Sequence, residues 1–122
     1  DQVFIAEADV IRRVADEGPC VIVGRCGGYV LAGRTDCVHV FIHAPMRERI
    51  RRAVSEYGVS EEQAPAFLQK QDKLRAAYYN HHAVDSRWGD CKSYDLAINS
   101  ALGEECVLHL LAALAAGGEV AR

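Results

Sequence analysis

Residues 20–28 read Cys-Val-Ile-Val-Gly-Arg-Cys-Gly-Gly, and this stretch decides which fold the sequence predicts. Its first four residues are apolar and rich in β-branched side chains, which is typical of a short buried strand in a parallel sheet. The run ends at Gly24 and Arg25, as expected where a strand delivers a loop at its carboxyl end, the place where open α/β sheets bind ligands. The planar guanidinium of Arg25 suits phosphate because it donates two parallel hydrogen bonds. From position alone, a surface ion pair accounts for Arg25 equally well.

Helical and strand patterns alternate on both sides of this stretch. A helix predicted over residues 3–16 ends at Gly18-Pro19, as glycine and then proline commonly end helices. The elements predicted after it are strand 20–24, strand 37–43, helix 46–57, a long helix that starts near Ser60 and Pro65 and runs to about His82, strand 94–99 and helix 104–114. The predicted fold class is therefore α/β, with a parallel sheet whose three strands need further partners.

Composition limits the function classes. With 122 residues, the chain is long enough for one domain, and its net charge of -3 argues against nucleic acid or an anionic membrane as a partner. No apolar run approaches the roughly 20 residues of a membrane span, and the first residues lack a basic signal start. Five cysteines without a CxxC pair indicate a reduced, cytoplasmic protein, with Cys20, Cys37 and Cys106 as small core residues.

Basic side chains recur after the predicted strands. Arg47, Arg49, Arg51 and Arg52 follow the second strand, and Lys70, Lys73 and Arg75 lie with Asp72 on the long helix. Each group alone is explained by a solvated helix face with ion pairs between neighbouring turns. Their succession after Arg25 is the arrangement expected around a polyphosphate. The histidines and cysteines match no zinc spacing, and the sequence contains neither GxGxxG nor GxxxxGK[ST].

Taken in order, four motifs resemble the cytidylate kinase-like family of the P-loop nucleoside monophosphate kinases, over about residues 10–111. Gly24-Arg25-Cys26 stands where cytidylate kinases have Gly-Arg-Asp, and residues 41–52 resemble their strand, alanine-proline turn and arginine-rich helix. Residues 71–79 resemble the basic lid pattern, and residues 94–100 resemble the strand with Asp-Ala-x-x-Ile-Asp-Thr-Ser.

The resemblance implies a three-layer P-loop kinase-like domain that transfers a phosphoryl group from ATP, with Mg²⁺, to a nucleoside monophosphate such as CMP. It assigns Gly24, Arg25, Arg49, Arg52 and Asp95 to substrate binding. It assigns the catalytic, charge-stabilising part to a lid over about residues 58–93, through Lys73 and Arg75 with Asp72 orienting them.

Two departures from the family pattern matter. Cys26 replaces the aspartate of Gly-Arg-Asp, which bears on cytosine selectivity, and the strand, P-loop and helix that begin such domains have no counterpart among the 122 residues. Residues 1–122 are thus expected to form one incomplete domain portion that is inactive by itself. Its unpaired sheet edges favour self-association. The alternative function is a non-catalytic module, derived from a kinase, that binds a nucleotide or a protein.

Overall fold

The computed structural model describes all residues from 1 to 122 as an arrangement of five helices and one small sheet. In chain order the elements are α1 (Gln2–Glu17), α2 (Gly27–Val30), β1 (Val40–His43), α3 (Met46–Tyr57), α4 (Ala64–His82), β2 (Leu96–Asn99) and α5 (Glu104–Ala115), with 3₁₀ turns at Cys91–Ser93 and Ser100–Leu102. Mixed helix and parallel sheet confirm the α/β class. Every helix is too short or too polar to span a lipid bilayer.

The sheet consists of β1 and β2, which run parallel with Val40 opposite Leu96 and His43 opposite Asn99. Each strand is shorter than the sequence predicts, because hydrogen-bonded pairing covers only these four residues. Between the strands lie α3 and α4, so β1 and β2 are joined by a long crossover, as parallel strands require.

The strand predicted at Cys20–Gly24 is wrong as a sheet strand. Residues 20–23 carry the β-branched run but form no ladder with β1 or β2, and Val21 and Val23 are 91% and 87% exposed. A β-branched sequence favours extended backbone, but only a hydrogen-bonding neighbour makes a strand, and none of the 122 residues takes that place. The three-stranded sheet of the prediction is therefore a two-stranded one.

The cysteine prediction also fails in its particulars. Cys20 and Cys106 are exposed and Cys37 is only partly buried, whereas Cys26, predicted for a loop, is 5% exposed. Apolar surroundings in sequence suggested core positions, but burial depends on which surface the fold covers. In this chain the turn after residue 24 places the Cys26 side chain in the interior.

Helices α3 and α4 pack together through a small apolar cluster. Ala53 and Ala64 are fully buried, and Leu68 is 8% exposed beside them, with Ile50 and Phe67 at the edge. Gly58, with φ of 67°, ends α3 in the left-handed conformation that glycine adopts without strain. Pro65 lies in the first turn of α4, where its missing N–H is tolerated. The cluster holds the amino-terminal half of α4 against α3.

The segment from Ala83 to Asp95 is tied back to the end of α4. The hydroxyls of Tyr79, Ser86 and Ser93 form a chain of hydrogen bonds, each 2.6 Å long, and the backbone N–H of Trp88 donates to Asn80 Oδ1 at 2.9 Å. The Trp88 and Tyr94 rings also pack on Phe41 of β1, at centroid distances of 5.3 and 5.0 Å. The segment is therefore held against both the sheet and α4.

Candidate functional site

The turn at Gly24-Arg25-Cys26 has an unusual backbone. All three residues have positive φ, at 71°, 55° and 57°, and only Arg25 and Cys26 do so among the non-glycine residues. Left-handed backbone at a residue with a side chain costs on the order of 1–2 kcal/mol, so surrounding contacts must hold this conformation. The buried Cys26 side chain and the Gly27 N–H, which donates to the Gly24 carbonyl at 3.1 Å, provide them.

Glycine at position 27 is required by the close approach of the preceding extended segment. A Cβ on Gly27 would lie 2.9 Å from Cγ2 of Ile22, closer than carbon atoms approach in folded proteins. Residues 22 and 27 therefore close the turn on itself, and Arg25 projects from it with an exposed side chain.

The Arg25 guanidinium lies over the ring of Tyr78, with its Cζ 5.6 Å from the ring centroid. It forms no ion pair, whereas Arg49, Arg52 and Arg75 each pair with a carboxylate. A cation–π contact of this kind is attractive but leaves the N–H donors free of a hydrogen-bond acceptor. Arg25 is thus an arginine with its donors available to an anion.

Asp72 lies at the centre of a second group of charges. Arg49 of α3 donates from its two terminal nitrogens to the two Asp72 oxygens, at 2.8 and 2.7 Å, and Arg75 donates to Oδ1 at 2.7 Å. The bonds link α3 to α4 across 23 residues of sequence, with both partners of the Arg49–Asp72 pair about three-quarters buried. The sequence predicts that Asp72 orients Lys73 and Arg75; Asp72 bonds Arg75 and Arg49 but not Lys73, and its catalytic part stays a prediction.

These contacts shift the acid–base properties of the group. The hydrogen bond from Arg49, and then that from Arg75, lowers the pKa of Asp72, so its carboxylate stays ionised well below neutral pH. The same bond raises the pKa of Arg49. Two arginines share one carboxylate, and the group therefore keeps a net positive charge that a phosphate can neutralise.

Helix α4 brings the two groups near each other. Arg75 and Tyr78 are three residues apart and hence neighbours on one helix face, so the ring that carries Arg25 lies one turn from Arg75. Arg75 also lies over the Trp88 ring, 5.4 Å from its centroid. Arg87, which is adjacent to Trp88 in sequence, donates from its guanidinium to the Ser86 carbonyl.

Three other predicted site residues make no hydrogen bond or ion pair with the Arg25 turn or with the group around Asp72. Lys73 is exposed on α4, and Arg52 pairs with Glu56 one turn along α3 at 2.9 Å. Asp95 precedes β2, at the amino ends of the strands, where it accepts the His39 N–H at 2.8 Å and both terminal nitrogens of Arg122. These bonds lower the pKa of Asp95 and fasten the carboxyl-terminal tail to the sheet.

Tyr78 lies in the motif of residues 71–79, but the sequence interpretation gave no site role to Tyr78 or to Glu7. The Tyr78 hydroxyl donates to Glu7 Oε2 of α1 at 2.9 Å, and partial burial with that bond raises the Tyr78 pKa. The three-residue spacing between Arg75 and Tyr78 places both side chains on one helix face, and this spacing could have indicated Tyr78. The partner on α1, 71 residues away, had no signal in the sequence.

The family follows from comparison with known proteins. The sequence profile of the cytidylate kinase-like family matches residues 1–102, most of the chain. The chain belongs to the cytidylate kinase-like family. This confirms the resemblance drawn from the motifs, and it makes nucleotide kinase activity the activity expected at the level of the family.

Individual relatives agree with the cytidylate kinase-like assignment. The chain is 27% identical over 103 residues to a cytidylate kinase of Methanopyrus kandleri and 31% identical over 98 residues to one of Pyrococcus horikoshii. Each match covers 77% of this chain, and 52% and 49% of the respective relative. The chain thus spans about half the length of these cytidylate kinases.

Two further similarities are partial. A solved structure of an uncharacterized protein from Eubacterium ventriosum superposes with a TM-score of 0.79 at 26% identity, covering 91% of this chain and 65% of that one. A uronate isomerase of Corynebacterium glutamicum is 33% identical over 94 residues, which cover 75% of this chain but 17% of the isomerase. A match to so small a part of the isomerase carries no argument about its activity.

Proposed function

We propose that this chain binds the phosphate of a nucleoside monophosphate, with CMP as the first candidate, and positions it to receive a phosphoryl group from ATP. The observation that supports this most directly is that the exposed Arg25 guanidinium has no carboxylate partner. In a member of the cytidylate kinase-like family, it projects from a strained turn with its donors unpaired by any carboxylate. Strained backbone that aims one side chain outward is typical of ligand sites.

The contacts of each arginine indicate the role that we propose for it. Arg25, on the turn begun by Gly24, would bind the acceptor phosphate through two parallel N–H donors. Arg49 is held by Asp72 and orders α4 against α3, which places Arg75 of the lid. When residues 58–93 close, Arg75 and the exposed Lys73 would stabilise charge on the transferring phosphoryl group, because this chemistry depends on positioning and electrostatics. Arg52 is proposed as an outer contact to the acceptor, released from Glu56.

ATP and Mg²⁺ are implied by the family, and the residues of this chain do not fit them. No three acidic, histidine or cysteine side chains lie together as a cation site, and Asp72 is already bound by two arginines. A P-loop sequence is also absent from the 122 residues. The proposal therefore assigns to these residues the binding of the acceptor phosphate and the stabilisation of charge on the transferring phosphoryl group, and it assigns no residue to ATP or Mg²⁺.

The open edges of the sheet suggest where a phosphate-binding strand would join. Residues 20–23 pair with no strand, and β1 is paired on only one side. We propose that a P-loop strand lies between them and completes a parallel three-layer domain. Self-association through the same edges is the competing use of this surface.

Nucleotide titration tests the proposal. Calorimetric titration of the 122-residue chain with CMP, cytidine and inorganic phosphate should show binding that requires the phosphate and weakens as salt rises. Arg25→Ala should weaken CMP binding by about 1–3 kcal/mol, the size of a lost charge-assisted hydrogen-bond pair. Arg13→Ala, which removes an exposed arginine of α1, is the matched control and should change nothing. Equal binding of CMP by wild type and Arg25→Ala would contradict the proposal.

A turnover assay tests whether the chain can transfer a phosphoryl group by itself. The chain alone, with CMP and Mg-ATP, should form no detectable ADP, because it carries no P-loop sequence. Binding of CMP without turnover agrees with an acceptor-binding portion. Turnover that follows the purified chain would show that its own residues hold ATP.

A further inference from the structure

Tyr78 makes two contacts that bear on how Arg25 meets an anion. Its ring lies beneath the Arg25 guanidinium at 5.6 Å, and its hydroxyl donates to Glu7 Oε2 at 2.9 Å. Contact through the ring face restrains the guanidinium without using its N–H donors, which lie in the guanidinium plane. Ring and hydroxyl therefore act on different groups.

The Tyr78 ring itself is held from several sides. It meets the His82 ring edge-on, with centroids 4.7 Å apart, and His82 stacks on Phe4 of α1 at 4.1 Å. Together with the bond to Glu7, these contacts fix the ring between α1 and α4. Because the ring is fixed, its contact with the Arg25 guanidinium restrains the position of that group.

The Glu7 carboxylate could compete with an anionic ligand for the Arg25 guanidinium. Both residues line the same open groove between α1 and the segment at 22–25. A free carboxylate there would form an ion pair with the unpaired guanidinium and compete with a phosphate for it. The Tyr78 hydroxyl occupies Glu7 Oε2, and Glu7 makes no ion pair with Arg25.

We propose that Tyr78 is a positioning residue that keeps Arg25 available for the acceptor phosphate, with its ring under the guanidinium and its hydroxyl holding Glu7 away. This inference rests on the proposed function for its ligand, the phosphate of a nucleoside monophosphate. It predicts that loss of the hydroxyl alone weakens binding, and that removal of the Glu7 charge restores it.

A set of four variants tests this with calorimetric titration of CMP. Tyr78→Phe should bind about three- to five-fold more weakly than wild type, since a competing exposed ion pair is worth up to about 1 kcal/mol. Glu7→Gln together with Tyr78→Phe should return to within about two-fold of wild type, and Glu7→Gln alone should bind no more weakly. Tyr78→Leu, which also removes the ring, should bind about ten-fold more weakly. A merely structural tyrosine would give no rescue by Glu7→Gln.

Tyr79→Phe is the matched control. It removes a hydroxyl from the adjacent tyrosine of the same helix, which bonds Ser86 and does not touch Arg25. It should leave CMP affinity unchanged. If Tyr79→Phe and Tyr78→Phe weaken binding alike, or if the double variant stays weak, the inference is overturned.

A nucleotide-free measurement separates this inference from the proposed function. The Arg25 Nε–Hε resonance of the free chain should shift in Tyr78→Phe, as Glu7 approaches, and return in the double variant with Glu7→Gln. An unshifted resonance in Tyr78→Phe overturns the positioning inference whatever CMP does. Failure of wild type to bind CMP, with the resonance shifting as expected, rejects the proposed function and leaves the Arg25–Tyr78–Glu7 relationship supported.

Discussion

Arg49 and Asp72 join α3 to α4 through two parallel hydrogen bonds of 2.8 and 2.7 Å. The side chains are 24% and 27% exposed, which places the pair between a surface ion pair and a buried one. It complements the apolar contact of Ala53, Ala64 and Leu68 between the same helices. One polar and one apolar contact thus fix how α4 packs on α3.

The Arg49–Asp72 pair should contribute modestly to stability. Asp72→Asn is expected to lower the free energy of unfolding by about 1 kcal/mol, because it weakens bonds from two partly solvated arginines. Glu56→Gln, which affects only the exposed pair with Arg52, is the control and should cost less than about 0.5 kcal/mol. Urea unfolding of the three proteins measures the difference. Equal midpoints for all three would show that the Asp72 bonds add nothing.

Asp72 should also give stability a pH dependence in the acid range. Its pKa in the folded chain is lowered by Arg49 and Arg75, so its contribution is complete above the unfolded value, near 4, and is lost as pH falls through the lower folded value. Wild type should therefore lose its advantage over Asp72→Asn on acidification below about pH 4. Urea unfolding across pH 2–7 tests this, and a constant difference over that range would contradict it.

The left-handed conformation of Arg25 predicts an unusual order of stabilities at one position. Arg25→Gly should be more stable than Arg25→Ala by about 1 kcal/mol, because φ of 55° strains alanine but not glycine. Both variants should weaken CMP binding equally, since both lack the guanidinium. Thermal unfolding compares them. Greater stability of the alanine variant would mean that the turn relaxes out of the left-handed region.

The contact between α3 and α4 should depend on Leu68 far more than on exposed leucines of the same helix. Leu68→Ala should cost about 2 kcal/mol, since the side chain is 8% exposed and fills the cluster with Ala53 and Ala64. Leu74→Ala, at a site 57% exposed, should cost less than about 0.5 kcal/mol. Chemical unfolding of both variants checks this. A comparable cost at the two positions would argue against the cluster as the core of this helix pair.

The single tryptophan reports on Arg75. Because the Arg75 guanidinium covers the Trp88 ring, Arg75→Ala should make Trp88 more accessible to acrylamide and increase fluorescence quenching. Arg87→Ala is the matched control, since Arg87 is adjacent in sequence but donates to a backbone carbonyl instead. A larger effect of Arg87→Ala than of Arg75→Ala would show that Arg75 does not cover the Trp88 ring.

Local patterns predicted the helices well. The helix predicted over 46–57 is α3 with the same bounds, and α5 differs from its prediction by one residue at its end. The signals that predict α3 are its apolar periodicity, Pro45 before its first turn and Gly58 after its last. All of them lie within the helix or next to it in sequence. The helix predicted from about Ser60 instead begins at Ala64, because residues 60–63 form a turn before Pro65.

What the sequence could not provide was the choice of partners. Residues 20–24 have strand composition without a neighbouring strand, and composition carries no information about hydrogen-bonding partners. Arg49 and Asp72 were both singled out, yet their mutual bond depends on the packing of two helices. The Tyr78–Glu7 bond depends likewise on how α1 crosses α4.

Helix α4 carries both anchors within two turns, Asp72 for Arg49 and Tyr78 for Arg25, and this sets how the segment tolerates changes in length. Insertion or deletion of one residue between positions 72 and 78 would rotate one anchor about 100° relative to the other. One arginine would then lose its support even though every functional side chain was retained. The number of residues between Asp72 and Tyr78 is therefore expected to matter as much as the identity of the two anchors.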